Sequence, residues 1–545
     1  MHLEANEGPG PRAAVVEALR AAGSERVRRY PTCGALERAI AERWGVDAER
    51  VVVTNGGDDA IDRICRAVLE PGRTLLWHTP GFEMIERSAR LAGAGVRAVP
   101  WLGGVFPLGE FCAEIGAGVA MAALVSPNNP TGGVIGLPDV RKVCAAAAEV
   151  GALVLVDLAY VEFADDDPTS SLVEIPNAVV VRTFSKAYGL AGLRVGYAIA
   201  PPEVAGWMRA VGGPFPVSGP ALDGVTVALG EGPDNEAIER IRSARETIDA
   251  DLRRMGAAPL ESQGNFVLAR FACAARVRAR LGSLGVAVRG FSPGSALADA
   301  LRITMPDDRC ILERVRSALG AAMAPEAMLF DLDGVLADVS GSYRSAIVAT
   351  AASFGIDIGA EDVARVKAAG DANNDWIVTQ RLLAGRGKAV PLDAVVERFQ
   401  EFYLGTRSQP GLREAETMRT SRGVLERIAG RVRMAVVTGR PRAEAAWFLE
   451  RFGIADLFEA VVAMEDGPPK PDPGPVRMAL ARLGVSRAWM LGDTPDDIAS
   501  ARGAGVVPLG IVAPGEDETV AAAVLERAGA AEVVPSIEAL EGMMG

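Results

Sequence analysis

The chain has 545 residues, 49% of them apolar and 23% charged, with a formal net charge of -13. That length exceeds what a single hydrophobic core supports and implies roughly two to four domains. The acidic balance argues against nucleic acid or an anionic membrane surface as a partner, and no apolar run is long enough to span a membrane.

Taken in chain order, the opening residues MHLEANEGPG carry neither a basic nor an apolar stretch. A secretory signal is therefore not expected, and the sequence reads as cytoplasmic. Short β-branched runs at 51–54, 74–78, 121–126, 153–157, 179–183 and 195–200 alternate with Ala-, Arg- and Glu-rich helical stretches, an α/β pattern. A second strand series starts at 328–331 and continues at 434–438, 489–492 and 506–511. Between the two series Pro325 interrupts a small helical stretch, which places a domain boundary at residue 324. From about 341 to 424 the pattern is helical almost without strands, as for an insertion after the first strand of the second series. The six cysteines stand singly without a CxxC pair, so buried reduced thiols are expected, not disulfides or a zinc site. The only histidines are His2 and His78, too few for a histidine-rich metal site or a Ser-His-Asp hydrolase. His78, ending an apolar run, is expected to be structural. The chemistry must then rest on Lys, Asp, Tyr, Arg and bound cofactors.

The first cluster is built around Lys186, which follows a strand in TFSKAYGLAGLRVGY. A lone lysine is usually a solvated charge, but Ser185 and Arg194 stand beside it as phosphate donors, among glycines that permit close backbone approach. Asp157 ends the apolar run LVLVD, where a carboxylate is costly unless paired. Asn55-Gly56-Gly57-Asp58-Asp59 lies between a strand and a helix. Taken singly it is a turn with an N-cap, yet free amides at such a place also bind anions.

In order, ANEGP, Tyr30-Pro31, NGGDD, SPNNPTG, DLAY, SKAYGLAGLR, GNFV and LRIT resemble the fold-type I aminotransferases, most closely the histidinol-phosphate aminotransferase group, over roughly residues 3–320. The resemblance implies bound pyridoxal phosphate, with Lys186 as its covalent anchor and proton shuttle. Asp157 would pair with the pyridine nitrogen. Asn129 and Tyr160 would bond the ring 3′-oxygen, and Phe82 would lie on the ring. Gly57, Asp58, Ser185 and Arg194 would hold the phosphate. Tyr30 would reach the phosphate of a neighbouring subunit, which implies a homodimer. Asn6, Arg289 and Arg302 would bind substrate. Two departures stand out: Leu158 replaces the acid of the usual DEAY, and the lead-in before NEGP is expected to be short.

The second cluster begins where the apolar run MLF meets Asp331 and Asp333. Thr438 then ends MAVVT, Lys470 lies in PPKPDPGP, and LGDTPDDI closes another strand with acids. A nucleophile, a hydroxyl, a lysine and a carboxylate group suit a phosphoryl group with a divalent cation. This order resembles the haloacid-dehalogenase superfamily over residues 326–545. The resemblance implies Asp331 as nucleophile, Asp333 as acid and base, and Thr438 and Lys470 on the phosphoryl oxygens. Mg²⁺ would be held by Asp331, the Asp333 carbonyl and Asp493, supported by Asp497 or, second, Asp496. The helical insertion would be a cap that closes over substrate. The expected architecture is thus a fold-type I transferase domain at 1–324 and a Rossmann-like phosphatase domain at 325–545, acting on small phosphorylated molecules. Transamination of imidazole acetol phosphate followed by dephosphorylation of histidinol phosphate is the leading reading. Another phospho-ketone, an aromatic aminotransferase with an unrelated phosphatase, and a cofactor-binding regulatory protein remain open.

Overall fold

The structure is a computed structural model and describes residues 1–368 and 374–544. The chain divides into two compact units, Met1–Ala274 with Ala287–Arg314, and Ala275–Val286 with Val315–Gly545. The expected cut at residue 324 is a single point, whereas this division also draws 275–286 and 315–324 into the second unit. Within that unit Ala321 belongs to the apolar core and Leu284, partly buried, packs against it. Trp489 Nε1 donates to the Ala321 carbonyl at 2.7 Å, and the Arg280 guanidinium covers the Trp489 ring at 4.0 Å.

The first unit is an α/β fold around a seven-stranded sheet. Its order is Val51–Thr54, Gly196–Ile199, Ala178–Thr183, Leu153–Asp157, Val119–Val125, Thr74–Thr79, Gly95–Pro100. All neighbours are parallel except Gly196–Ile199, which runs antiparallel to both of its partners. The strands Val119–Val125 and Ala178–Thr183 are buried at every position. Helices cover both faces of such a sheet, which is why these segments read as continuous apolar runs without alternation. Every strand expected in this half is present within a residue or two at its ends, and Gly95–Pro100 joins them as an edge strand. A second sheet has the order His2–Leu3, Ala287–Gly290, Ala300–Thr304, Phe266–Arg270, Ala258–Pro259. It sets Arg289 directly opposite Arg302.

The second unit holds a six-stranded parallel sheet in the order Ala460–Val462, Arg433–Val437, Ala327–Phe330, Ala488–Gly492, Val507–Ile511, Glu532–Val534. The first strand in sequence is central, so the crevice beyond its C-terminal end is flanked by two crossover connections. Ligands gather at such a switch point. Helices Tyr343–Ser353, Ala360–Ala368, Asp375–Gly385 and Leu392–Leu404 form the insertion; residues 369–373 of the expected range lie outside the described residues. Its last part differs from the helical expectation. After Leu404 the chain makes a short hairpin, Gly405–Thr406 with Gln409–Pro410, then returns through Thr417–Met418, which pairs with Ala337–Asp338. Glycines at 405 and 411 pack backbone on backbone there, where a Cβ at either would stand 2.3 Å from main-chain atoms.

The six cysteines are free, but only Cys65 and Cys144 are buried. Cys273 and Cys310 are exposed, which corrects the expectation of buried thiols throughout. His78 is fully buried. No helix among the described residues is long and apolar enough to cross a membrane.

Candidate active sites

In the first unit a cavity of about 640 Å³ opens beyond the C-terminal ends of the parallel strands. Asn6, Gly57, Asp58, Phe82, Asn129, Asp157, Tyr160, Ser185, Lys186, Arg194, Arg289 and Arg302 all line it. Twelve separately expected residues therefore converge on one space. Tyr30 does not. It is 80% exposed and stacks on Phe215 with ring centroids 4.4 Å apart.

Lys186 Nζ donates to the carbonyl of Asn6 at 2.8 Å and lies 5.5 Å from the centre of the Tyr160 ring. Asn6 is buried with φ 54, and its side chain donates to the Tyr160 hydroxyl at 3.1 Å. Thr304 supports it by donating to Asn6 Oδ1 at 3.0 Å, and Asn265 donates to the Glu7 carbonyl at 3.0 Å. Sequence reasoning assigned no role to Asn265 or Thr304, although both lie inside motifs it had noted. The N-terminal segment is thereby fixed over the lysine. Arg302 is buried, donates to the Glu4 carbonyl at 2.6 Å, and keeps a buried Nε without a protein partner. Arg289 is exposed at the cavity wall.

The floor and one end of the cavity fit a phosphorylated pyridine. Asp157 is almost wholly buried, and that burial pushes its carboxyl up to about 7, with the Ala159 amide its hydrogen-bond donor. A cationic ring nitrogen is a partner that would restore the charge. At the other end the helix Gly56–Val68 begins with free amides at Gly57 and Asp58. Arg194, held in the left-handed region at φ 53, places Nη1 3.4 Å from Ser185 Oγ and Nη2 3.1 Å from Asp58. A Cβ on Gly56, whose φ is +81, would stand 2.6 Å from Nη2 of Arg194, so a side chain there would displace the guanidinium.

In the second unit Asp331, Thr438 and Asp493 lie immediately beyond three adjacent strands, Ala327–Phe330, Arg433–Val437 and Ala488–Gly492. Lys470 is buried and donates to Asp331 Oδ1 at 2.7 Å and to Asp497. Burial opposes the Lys470 charge, yet Asp331 and Asp497 hold it firmly protonated. Burial also drives the Asp331 carboxyl upward, against the pull of Lys470. One oxygen each from Asp331, Asp493 and Asp497 lies within 4.8 Å of the others. That hard, all-carboxylate set suits Mg²⁺. A Cβ on Gly334, at φ +72, would stand 2.0 Å from Asp493 Oδ2, so the turn after Asp333 leaves room for that carboxylate. Asp497 also completes the capping box of its helix, accepting from the Thr494 amide at 3.1 Å and from Thr494 Oγ1 at 2.6 Å. Asp496 is buried nearby but outside the carboxylate group.

The side chain of Asp333 is not part of that group. It accepts from Arg440 Nε at 2.6 Å, and its oxygens are not among the three that gather there. Arg440, two residues beyond Thr438, was missed by sequence reasoning. TGRPR offers two arginines, and nothing local indicates that one of them is 1% exposed.

Residues 1–316 match the family model for aminotransferase class I and II, and residues 325–505 match the one for haloacid dehalogenase-like hydrolase. A histidinol-phosphate aminotransferase of Halorubrum lacusprofundi is 40% identical over 294 residues, 53% of this chain and 79% of that protein. An imidazoleglycerol-phosphate dehydratase of Phytophthora nicotianae is 46% identical over 214 residues, 38% of this chain; the chain spans only 47% of that relative's length. Among solved structures, histidinol-phosphate aminotransferase from Sinorhizobium meliloti in complex with pyridoxal-5'-phosphate shares 28% identity with a TM-score of 0.53, covering 59% of this chain and 90% of that one. With the lysine, the buried aspartate and the phosphate cradle in one cavity, and the carboxylate cluster in the other unit, the chain belongs to the class I and II aminotransferases, pyridoxal-phosphate enzymes, and carries behind that region a haloacid dehalogenase-like hydrolase.

Proposed function

We propose that this chain performs two reactions on one small phosphorylated molecule: transamination of imidazole acetol phosphate with glutamate, then magnesium-dependent hydrolysis of histidinol phosphate to histidinol. The observation that carries the reading is the pairing of a cavity lined by Lys186, Asp157, Arg289 and Arg302 with a separate carboxylate group at Asp331, Asp493 and Asp497. The names of the aminotransferase relatives support the first substrate, and that of the dehydratase relative supports the same phosphorylated-imidazole chemistry.

In the first reaction bound pyridoxal phosphate supplies the electron sink. Asp157 would keep its ring nitrogen protonated, Arg194, Ser185 and the Gly57–Asp58 amides would hold its phosphate, and Phe82 would lie against its ring. Lys186 Nζ takes the α-proton of the amino donor and returns a proton to the keto acceptor. Arg302 and Arg289 orient the acidic group of the substrate, with Asn6 beside them. Tyr30, exposed and away from its own cavity, suits a role on the phosphate of a second copy in a homodimer.

In the second reaction Asp331 attacks phosphorus. The bond from the Asp331 carboxylate to phosphorus forms as the ester P–O bond breaks, and protonated Asp333, whose Oδ1 faces Arg440, gives the proton on Oδ2 to the leaving oxygen. Water activated by Asp333 then releases phosphate from Asp331. Thr438 and Lys470 hold the phosphoryl oxygens. Mg²⁺ would be held by Asp331, the Asp333 carbonyl and Asp493, with Asp497 behind them, and would neutralise phosphoryl charge. The boundary at residue 324, the capping role of the helical insertion and a cytoplasmic location belong to this reading.

The test is incubation of the purified chain with imidazole acetol phosphate and glutamate, following histidinol phosphate, histidinol and free phosphate separately. Histidinol appearing after histidinol phosphate supports the reading. Absence of any aminated product, with cofactor bound, removes the first substrate.

A further inference from the structure

Arg440 is a cation at 1% exposure, and burying it is costly unless carboxylates stand against it; its Nη2 has no hydrogen-bond partner but forms an ion pair with Asp333. Its Nε donates to Asp333 at 2.6 Å. Its Nη1 donates to Glu416 at 3.0 Å and to the Tyr403 hydroxyl at 3.2 Å. The guanidinium also covers the Tyr343 ring at 4.7 Å. These partners belong to different segments. Asp333 follows the central strand, Tyr343 opens the first helix of the insertion, and Tyr403 lies in its last helix, Leu392–Leu404. Glu416 immediately precedes the return strand Thr417–Met418, which pairs with the outgoing strand Ala337–Asp338. Ser342 at 2.9 Å and Tyr403 at 3.1 Å both donate to Glu416, so this carboxylate ties the outgoing and returning stems of the insertion to each other.

We propose that Arg440 is a positioning residue that fastens the Asp333 carboxylate to the stem of the helical insertion through Glu416 and Tyr403. Asp333 is then aimed at the leaving oxygen only while the insertion is seated. The inference rests on the reading of Asp333 as the proton-transfer group. A planar fork with donors in fixed directions suits this role, because it bonds Asp333 along one edge and the stem along another. With its surface closed over, Arg440 acts through Asp333 and does not bind substrate.

The test uses the full chain with Mg²⁺ and two probes, p-nitrophenyl phosphate, whose leaving group needs little protonation, and phenyl phosphate, whose leaving group needs it. The kcat/KM values report the steps through departure of the leaving group and not the later hydrolysis at Asp331. Arg440→Met is expected to lower kcat/KM for phenyl phosphate by roughly tenfold or more beyond its effect on p-nitrophenyl phosphate, and Arg440→Lys to recover part of that loss. Glu416→Gln and Tyr403→Phe should shift the ratio the same way by less, and they carry the test if Arg440→Met does not fold. Asp333→Asn is the reference and should show the same skew. If Asp333→Asn skews the ratio while the Arg440, Glu416 and Tyr403 variants lower both probes equally or neither, the proposal is overturned. If Asp333→Asn itself shows no skew, the proton-transfer role of Asp333 fails, and the proposal falls with it.

Discussion

Lys186 Nζ donates to the main-chain carbonyl of Asn6, and two residues further on a Cβ at Gly8 would stand 1.7 Å from the carbonyl oxygen of Lys186 itself. The NEGP segment therefore lies against the lysine at backbone contact distance, and only glycine fits. A Gly8→Ala chain must move one strand of that contact by an ångström or more. Displacement of this size typically costs about 10²-fold in a positioned reaction. We expect Gly8→Ala to lose transamination by roughly that factor while phosphatase turnover stays within about twofold, because the two sites share no residue. Parallel assays of both activities on one preparation decide this; equal losses in both would point to global misfolding instead.

Lys186→Ala removes the only amine among the described residues that line the cavity. The expected outcome is loss of transamination to background and loss of the visible absorbance of lysine-bound cofactor, with phosphate release unchanged. Full transamination by this variant would remove Lys186 from the reaction.

How much of this was legible beforehand follows from what kind of signal each residue carries. Asp157 and Asp331 stood out because each ends an apolar run with a charge, which is expensive without a partner. Lys186 and Arg194 stood out only in company, through small residues and the motifs around them. Arg440 could not be read in this way: its partners Asp333 and Glu416 lie 107 and 24 residues away, and only the paired stems bring them together. The small sheet of the first unit was faint for another reason. Its strands include two-residue pieces such as His2–Leu3, too short to show any periodicity.

His78 accepts a hydrogen bond from the Val125 amide at 3.0 Å on Nε2 and is fully buried, and this burial lowers its pKa from the ordinary 6.5 to about 4. A folded-state value below the unfolded one means stability is intact above pH 6.5 and is lost as pH falls toward 4. By pH 5 the loss from this group is about 2 kcal/mol. In His78→Gln the amide oxygen can still accept from Val125 but does not titrate. The wild-type advantage in urea midpoint at pH 7 should therefore shrink by pH 5. A difference that stays constant between the two pH values would show that His78 does not titrate in this range.

Phosphate release should stop with chelator, return with Mg²⁺, and be lost by at least about 10³-fold in Asp331→Asn, while transamination ignores all three. The carboxylate oxygens of Asp331, Asp493 and Asp497 are close enough to repel one another without a cation, apart from what Lys470 neutralises. Asp493→Asn should therefore weaken Mg²⁺ binding, raising the concentration needed for half-activity by about tenfold or more. A turnover indifferent to chelator would place the chemistry elsewhere.

If the two reactions are consecutive, the hydrolase must distinguish an amine from a ketone on otherwise similar phosphate esters. Hydrolysing the keto form would destroy the substrate of the first reaction, so selection should favour the aminated product. The comparison needs a chain that cannot interconvert them, and Lys186→Ala is that chain, since its hydrolase site is untouched. With Mg²⁺ present, kcat/KM for histidinol phosphate should exceed that for imidazole acetol phosphate by about tenfold or more, the discrimination expected when a buried polar contact is made to one substrate and left unpaired by the other. The difference should lie in kcat/KM and not in the Mg²⁺ requirement, because the phosphoryl group and its ligands are the same in both. Equal efficiencies, or preference for an unrelated sugar phosphate, would leave both active sites valid and break the proposed order of reactions.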